Sequence, residues 1–228
     1  MRINKLFSNL GICSRKATRK LIEENRIIVN GVSCIQGQWV ELEDEILFDN
    51  KPLPIKKKIY IALNKPIGIT CTSAEEVEDN IINFMNYPEY IFPVGRLDKA
   101  SQGLILLTND GDLGNKILES ENEHEKEYIV TLDKSFDDEF ILGMSNGVDI
   151  CNVKTRKCKV RRVSENTFNI ILTQGLNKQI RRMSKSFGYN VNMLKRIRIL
   201  NIKLGELEYG KWRYLTSDEI KGLKNIIE

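Results

Sequence analysis

The chain has 228 residues, 41% hydrophobic and 29% charged, a balance that fits one or two ordinary globular domains and argues against a disordered or fibrous protein. No stretch approaches the roughly 18 uninterrupted apolar residues of a membrane helix, and Met1-Arg2-Ile3-Asn4-Lys5 lacks the apolar core of a secretory signal. Five cysteines, odd in number and without a Cys-x-x-Cys pair, and one histidine, His124, indicate no disulfide framework, no metal site and no histidine triad, so a reduced, cytoplasmic setting is expected.

In chain order, Ile3, Leu6, Phe7 and Leu10 recur at helical spacing, and Gly11 stands where a C-cap glycine belongs. Ser14 is placed to cap a second helix with an apolar face of Ala17, Leu21 and Ile22 and an exposed face of Arg15, Lys16, Arg19 and Lys20. Residues 26–32 read as a strand, an Asn30-Gly31 turn and a second strand, and residues 40–48 complete a short sheet. These elements make a first domain, 1–49. Residues 50–58, with two prolines and Lys56-Lys57-Lys58, read as an extended linker.

The second domain, 59–228, offers strands at 59–63, 90–94, 103–108, 128–132, 157–163, 167–173 and 198–204. Helices are expected at 80–86, 112–118, 137–144, 178–187 and 217–227, the last with a Thr216/Glu219 capping box. Hairpin-length spacings with irregularly placed helices point to the α+β class, around a mixed, mainly antiparallel central sheet.

Charge is segregated along the chain. Residues 1–20 carry six Lys/Arg and no Asp/Glu, residues 75–149 five basic and eighteen acidic, and residues 154–203 fourteen basic and one acidic. One cationic face, not a uniform surface, is implied, and its natural partner is a polyanion such as a nucleic acid.

Residues 94–111, Val-Gly-Arg-Leu-Asp-Lys-Ala-Ser-Gln-Gly-Leu-Ile-Leu-Leu-Thr-Asn-Asp-Gly, place Asp98 and Arg96 just before an apolar strand that anchors their loop. From the residues alone, Asp98 reads as a turn or capping aspartate. The stretch nevertheless resembles the signature of the pseudouridine synthases: Gly-Arg-Leu-Asp, two variable residues, Thr, one variable residue, Gly, leucines, then Thr-Asn-Asp-Gly. Ser101 stands in place of the Thr and keeps the hydroxyl. Leu63-Asn64-Lys65-Pro66-Ile67-Gly68, Glu125-Lys126-Glu127-Tyr128, Gln174 through Met183 with its Gln179-Ile180-Arg181-Arg182, and Met193-Leu194-Lys195-Arg196-Ile197 resemble further family segments in the same order. The first, taken alone, is a turn after a strand. Helix, basic helix and Ile28-Val29-Asn30-Gly31 at the start resemble the αL-type RNA-binding domain shared with a small-subunit ribosomal protein. The resemblance is to the RsuA, RluB, RluE and RluF group of ribosomal RNA pseudouridine synthases, and most to the RluF type.

That resemblance implies isomerisation of uridine to pseudouridine in ribosomal RNA, with 23S rRNA of the large subunit expected. Asp98 would be the catalytic carboxylate, Arg181 its charge partner, and Tyr128 the ring that stacks on the extruded base. Leu194 would floor the pocket, with Arg96, Lys126, Gln179 and Arg182 binding substrate. Arg96 would fill the gap left when the base leaves the stack. Arg2, Lys5, Arg15, Lys16, Arg19 and Lys20 would bind RNA phosphates. Neither metal nor cofactor is expected, since an isomerisation needs neither redox nor group donor. A monomer with no membrane partner is expected; transfer RNA as substrate, or a noncatalytic RNA-binding or ribosome-assembly role, are the rival readings. His124 reads as a loop residue near the RNA surface.

Overall fold

The computed structural model describes residues 1–41, 43–54, 56–74, 76–119 and 123–227. Leu42 of the expected third strand, Ile55 of the linker and the terminal Glu228 lie outside them.

The first helix, α1 (Ile3–Asn9), buries Ile3 and Phe7 and ends ahead of Gly11, whose φ of +69° turns the chain. In α2 (Arg15–Glu23), the Ser14 hydroxyl accepts the Ala17 N–H at 3.0 Å. Its buried face differs from the expected one: Ala17 is exposed and Thr18 is buried, its hydroxyl donating to the Ser14 carbonyl. The hairpin β1 (Ile27–Val29) and β2 (Val32–Ser33) turns through Asn30 and Gly31, both at positive φ. Among the described residues of the expected strand 40–48, only β3 (Ile46–Phe48) forms. β4 (Lys51–Pro52) pairs with it, so two residues read as linker belong to the sheet β2-β1-β3-β4. Pro52 is tolerated there because β4 is an edge strand, where the missing N–H breaks no ladder. Ile3, Phe7, Ile22, Ile27, Val29, Cys34 and Val40 form this segment's own small core.

The remaining chain runs β5 (Tyr60–Lys65), α3 (Ile81–Met85), β6 (Phe92–Val94), β7 (Gln102–Thr108), α4 (Gly111–Leu118), β8 (Lys126–Leu132), α5 (Asp138–Ser145), β9 (Asp149–Ile150), β10 (Val153–Lys154), β11 (Lys159–Arg162), β12 (Thr167–Leu172), α6 (Gln179–Ser186), β13 (Val191–Ile199), β14 (Ile202–Lys203), β15 (Trp212–Tyr214) and α7 (Ser217–Ile227). The central sheet has the order β11-β12-β8-β13-β7-β5-β15, with β14 on β13 and β6 on β7. Its pairs are antiparallel except β13 with β7, which confirms the mixed, mainly antiparallel α+β class. Two apolar clusters cover its faces, one around Phe140, Phe168 and Ile105, the other around Leu104, Ile202 and Leu223.

One expected strand is corrected. Residues 198–204 are a hairpin, not a strand: β13 ends at Ile199, Leu200 takes a φ of +50°, and β14 returns. The body of β13 carries Lys195, Arg196 and Arg198, which hide a central strand from a hydrophobic count. The Thr216/Glu219 capping box does form, each backbone N–H donating to the other's side chain.

At the β7–β13 seam, a Cβ on Gly103 would lie 2.2 Å from the Arg196 carbonyl oxygen, and its φ of +105° is open to glycine alone. The seam places Lys65, Gly103, Arg196 and Tyr128 in one row across β5, β7, β13 and β8. The motif's tail, Thr108 to Gly111, is a structural knot. Thr108 donates to the Ile59 carbonyl at 2.6 Å, Asn109 bridges Lys57 and Ile59, and Asp110 caps α4 while accepting from Tyr60. Asn9 donates to Asp112, and Gly111 leaves room for Asn9, joining α1 to α4.

Candidate active site

A cleft of about 840 Å³ opens over the β7–β13 seam. Of the residues singled out by sequence, Asp98, Arg96, Lys126, Tyr128, Gln179, Arg181 and Leu194 all line it. They converge from the β6–β7 loop, the start of β8, helix α6 and strand β13. Asp98 is half-buried and Arg96 exposed; Tyr128 is 9% exposed and Leu194 5%.

The loop that carries Asp98 is held at almost every peptide. Arg196 Nη1 donates to the Arg96 carbonyl at 3.4 Å, and the Leu97 N–H donates to Cys71 Sγ at 3.4 Å. Ser101 N–H closes a turn onto the Asp98 carbonyl at 2.9 Å, and Gly68 N–H reaches the Lys99 carbonyl at 2.8 Å. Arg181 Nη2 donates to the Ala100 carbonyl at 3.0 Å and to the Ser101 hydroxyl at 3.3 Å. The anchor is therefore three surrounding segments, residues 68–71, α6 and β13, not the following strand alone, and the hydroxyl of Ser101 has a structural use.

Arg181 corrects one expectation. None of its nitrogens lies within 4.0 Å of an Asp98 carboxylate oxygen. Its guanidinium instead bridges the Asp98 loop to β13, with Nη1 on the Val191 carbonyl at 2.8 Å and Nε buried without a hydrogen-bond partner. Arg182 corrects a second: it does not line the cleft, and its guanidinium donates to Asn177 at 3.0 Å and to Cys151 Sγ at 2.7 Å. Adjacent helix positions point about 100° apart, so the two arginines cannot share one site. Gln179, 4% exposed, spends its oxygen on the Leu176 N–H, which fixes the entry to α6. Arg2, Arg15, Lys16, Arg19 and Lys20 are exposed, Lys5 is half-buried, and none of the six reaches the cleft. His124 is buried, its ring against the Ile117 carbonyl, and not on the surface as expected.

Two cations escaped the sequence reading. Lys65 is fully buried, its ammonium donating to the carbonyls of Pro66 and Ile69. Burial pushes it down to about 8; the Arg196 charge adds to that fall, while Cys71 and Asp98 oppose it. Arg196 is 3% exposed, lines the cleft, and donates Nε to the Leu104 carbonyl at 2.6 Å. Lys126, also facing the cleft, is lowered to about 8 by burial and then by Arg196. A charged residue breaking the apolar alternation of a strand was the available signal for both. Behind Lys126, Glu127 is held in its ionised form: burial opposes this, but hydrogen bonds from Arg198 at 2.7 Å and Asn169 at 2.8 Å outweigh it.

A profile of the RNA pseudouridylate synthases matches residues 59–186, more than half of the chain and the whole of the cleft apart from its β13 side. The chain belongs to the RNA pseudouridylate synthase family. It is 48% identical over 230 residues to the dual-specificity RNA pseudouridine synthase RluF of Salmonella typhi and 47% over 231 to that of Escherichia coli K12, spanning all of this chain and 80% of each relative. An uncharacterised RNA pseudouridine synthase of Aquifex aeolicus is 33% identical over 242 residues, covering all of this chain and 98% of that one. A solved structure, titled a pseudouridylate synthase, superposes with a TM-score of 0.72 at 30% identity, covering 98% of this chain and 99% of that one. The protein is thus an RNA pseudouridine synthase, an isomerase of uridine in RNA, and no described helix is long and apolar enough to cross a membrane.

Proposed function

We propose that this synthase converts specific uridines of ribosomal RNA, in the 23S rRNA of the large subunit, with Asp98 as the catalytic carboxylate. The observation that carries the reading is Asp98 facing the cleft from a loop tethered by five hydrogen bonds to the segments around it, a placement that suits a reacting group more than a turn residue. The target base leaves its stack and enters the cleft, where Tyr128 stacks on it and Leu194 floors it. Asp98 then attacks C1′ or removes a sugar proton; both routes use the same carboxylate. Arg181 holds the loop, and Arg96, exposed at the rim, stacks in the vacated position. Residues 1–49 act as an RNA-binding domain through Arg15, Lys16, Arg19 and Lys20, reached through a linker shortened by β4 to residues beyond Pro52. The enzyme works as a cytoplasmic monomer without a cofactor.

Transfer RNA is a second substrate on this reading. The relatives named dual-specificity, at 47–48% identity over the full chain, are the specific support for it. Pseudouridines are mapped by chemical derivatisation and reverse-transcription stops in RNA from cells with and without the gene. Loss of a stop in 23S rRNA, restored by the wild-type gene and not by Asp98→Asn, is the expected result. An unchanged 23S map with a lost tRNA stop would move the target to transfer RNA, and no lost stop in either would defeat the reading.

A further inference from the structure

Arg196 stands out once the cleft is taken apart. It is 3% exposed, it lines the cleft, and its Nη2 is buried without a hydrogen-bond partner. Its other nitrogens are spent: Nε on Leu104 and Nη1 on the carbonyl that precedes the Asp98 loop. The guanidinium is therefore fixed, with the Nη2 nitrogen left over. In the sheet, Arg196 is the direct cross-strand partner of Tyr128, so the two side chains share the face that floors the cleft. Lys65 and Lys126 crowd the same spot, and burial holds both ammonium groups well below their usual range. Cations outnumber the carboxylates of Asp98 and Glu119 among the residues that line the cleft, so it carries more positive than negative charge. A buried guanidinium that lacks a full set of acceptors is costly.

We propose that Arg196 contacts the substrate: its free Nη2 donates a hydrogen bond to a carbonyl oxygen of the extruded uracil and stabilises the negative charge that collects there when the glycosidic bond breaks. The inference rests on uridine being the substrate. Cleavage of the C1′–N1 bond sends its electron pair into the ring, giving a uracil anion with charge spread over N1, O2 and O4. Asp98 takes up C1′, or the sugar proton, on the other side. Arg196 transfers no proton; it meets charge that exists only after bond breaking, which is where a preorganised donor in a dry site contributes most. C5 then bonds to C1′, the C5 proton departs and N1 gains one, so the overall change is an isomerisation. Arg196 is thereby distinguished from Arg181, whose two Nη atoms tie the Asp98 loop to β13.

The test uses large-subunit ribosomal RNA transcribed with uridine or with 5-fluorouridine, and the full-length protein with Arg196→Gln and Arg196→Lys. Single-turnover rate is read as loss of the starting nucleoside at the target position, RNA affinity by filter binding, and fold by thermal melting. Fluorine withdraws electrons and stabilises the uracil anion by itself, so the reaction depends less on the enzyme's cation. The expected result is a fall of about 100-fold or more for Arg196→Gln on uridine RNA, with affinity kept within about threefold. On 5-fluorouridine RNA the deficit should shrink at least about fivefold, and Arg196→Lys should fall between wild type and Gln on uridine. If the Gln variant does not fold, the Lys variant carries the same comparison. Equal deficits on both RNAs, a deficit confined to affinity, or full activity of the variants would overturn the proposal. A wild-type protein that converts no uridine in this RNA would overturn the functional reading and the inference with it, an outcome visible before any variant is made.

Discussion

The floor of the cleft and the surface of α2 are both cationic, yet their cations live in opposite surroundings. Lys65 and Arg196 are 0% and 3% exposed and held by backbone carbonyls. Arg15, Lys16, Arg19 and Lys20 stand in solvent, with one long ion pair, Lys20 to Glu24 at 3.9 Å. A solvated cation meets phosphate by releasing counterions, is screened by salt and is replaceable by a neighbour. A buried one is fixed in position, unscreened and costly to leave unpaired. The contrast separates affinity from chemistry: the surface set should govern how tightly and at what salt RNA binds, the buried set how fast the bound uridine reacts.

The largest effect expected is at Asp98. Asp98→Asn keeps the shape and removes the charge, so tritium release from uridine-labelled RNA should vanish while affinity stays within about tenfold, roughly 1.4 kcal/mol. Turnover above background in that variant would remove Asp98 from the chemistry. Next is the seam that carries the buried row. Gly103→Ala sets a methyl against the Arg196 backbone, 2.2 Å from its carbonyl oxygen, and should destabilise the fold by about 3 kcal/mol or more. A melting temperature equal to wild type would show that the β7–β13 approach is looser than described.

Arg181 and Arg182 give an internal comparison. Arg181→Lys cannot span Val191, Ala100 and Ser101 at once, and should cut turnover by about 100-fold with little change in affinity. Arg182→Lys, away from the cleft, should change turnover by less than about threefold. Equal losses would mean that α6 as a whole, not the loop bridge, matters.

On the exposed side, replacing Arg15, Lys16, Arg19 and Lys20 together by Gln should flatten the slope of log affinity against log salt by up to about three, at an unchanged single-turnover rate with saturating RNA. A lowered rate at saturation would place α2 in the chemistry and break the separation.

The smallest effect is on pH. Lys65 has a folded value of about 8 against 10.5 for the free side chain, so between those values the unfolded chain binds more protons than the folded one. Lys126 is shifted to the same value by burial and by Arg196. Their contribution should make the protein more stable as pH rises from about 8 toward 10.5, and Lys65→Met should flatten that rise. Melting temperature against pH for the two proteins checks it; parallel curves would mean that Lys65 keeps its charge over the whole range.

Periodicity and punctuation made much of the fold legible. Ser14 and the Thr216/Glu219 box each cap the helix that local spacing assigned to them, because a cap is a contact between neighbours in the chain. Residues 94–111 and the four other motifs were enough to name the family and to gather Asp98, Tyr128, Arg181 and Leu194 as candidates. By itself, then, the sequence determined the class of domain, the family and the short list for the site. Only the tertiary structure decided how those residues relate: that Arg181 spans the loop and β13 and does not reach the Asp98 carboxylate, that Arg182 turns away, and that Thr108 to Gly111 tie the chain together. It also revealed Lys65 and Arg196, since a charge in a strand shows its burial only when the strands beside it, forty and ninety residues distant in sequence, close over it. The physical reason is one of range: caps and turns are settled by residues three or four apart, whereas burial, desolvation and a shared floor arise where β5, β7, β8 and β13 lie side by side.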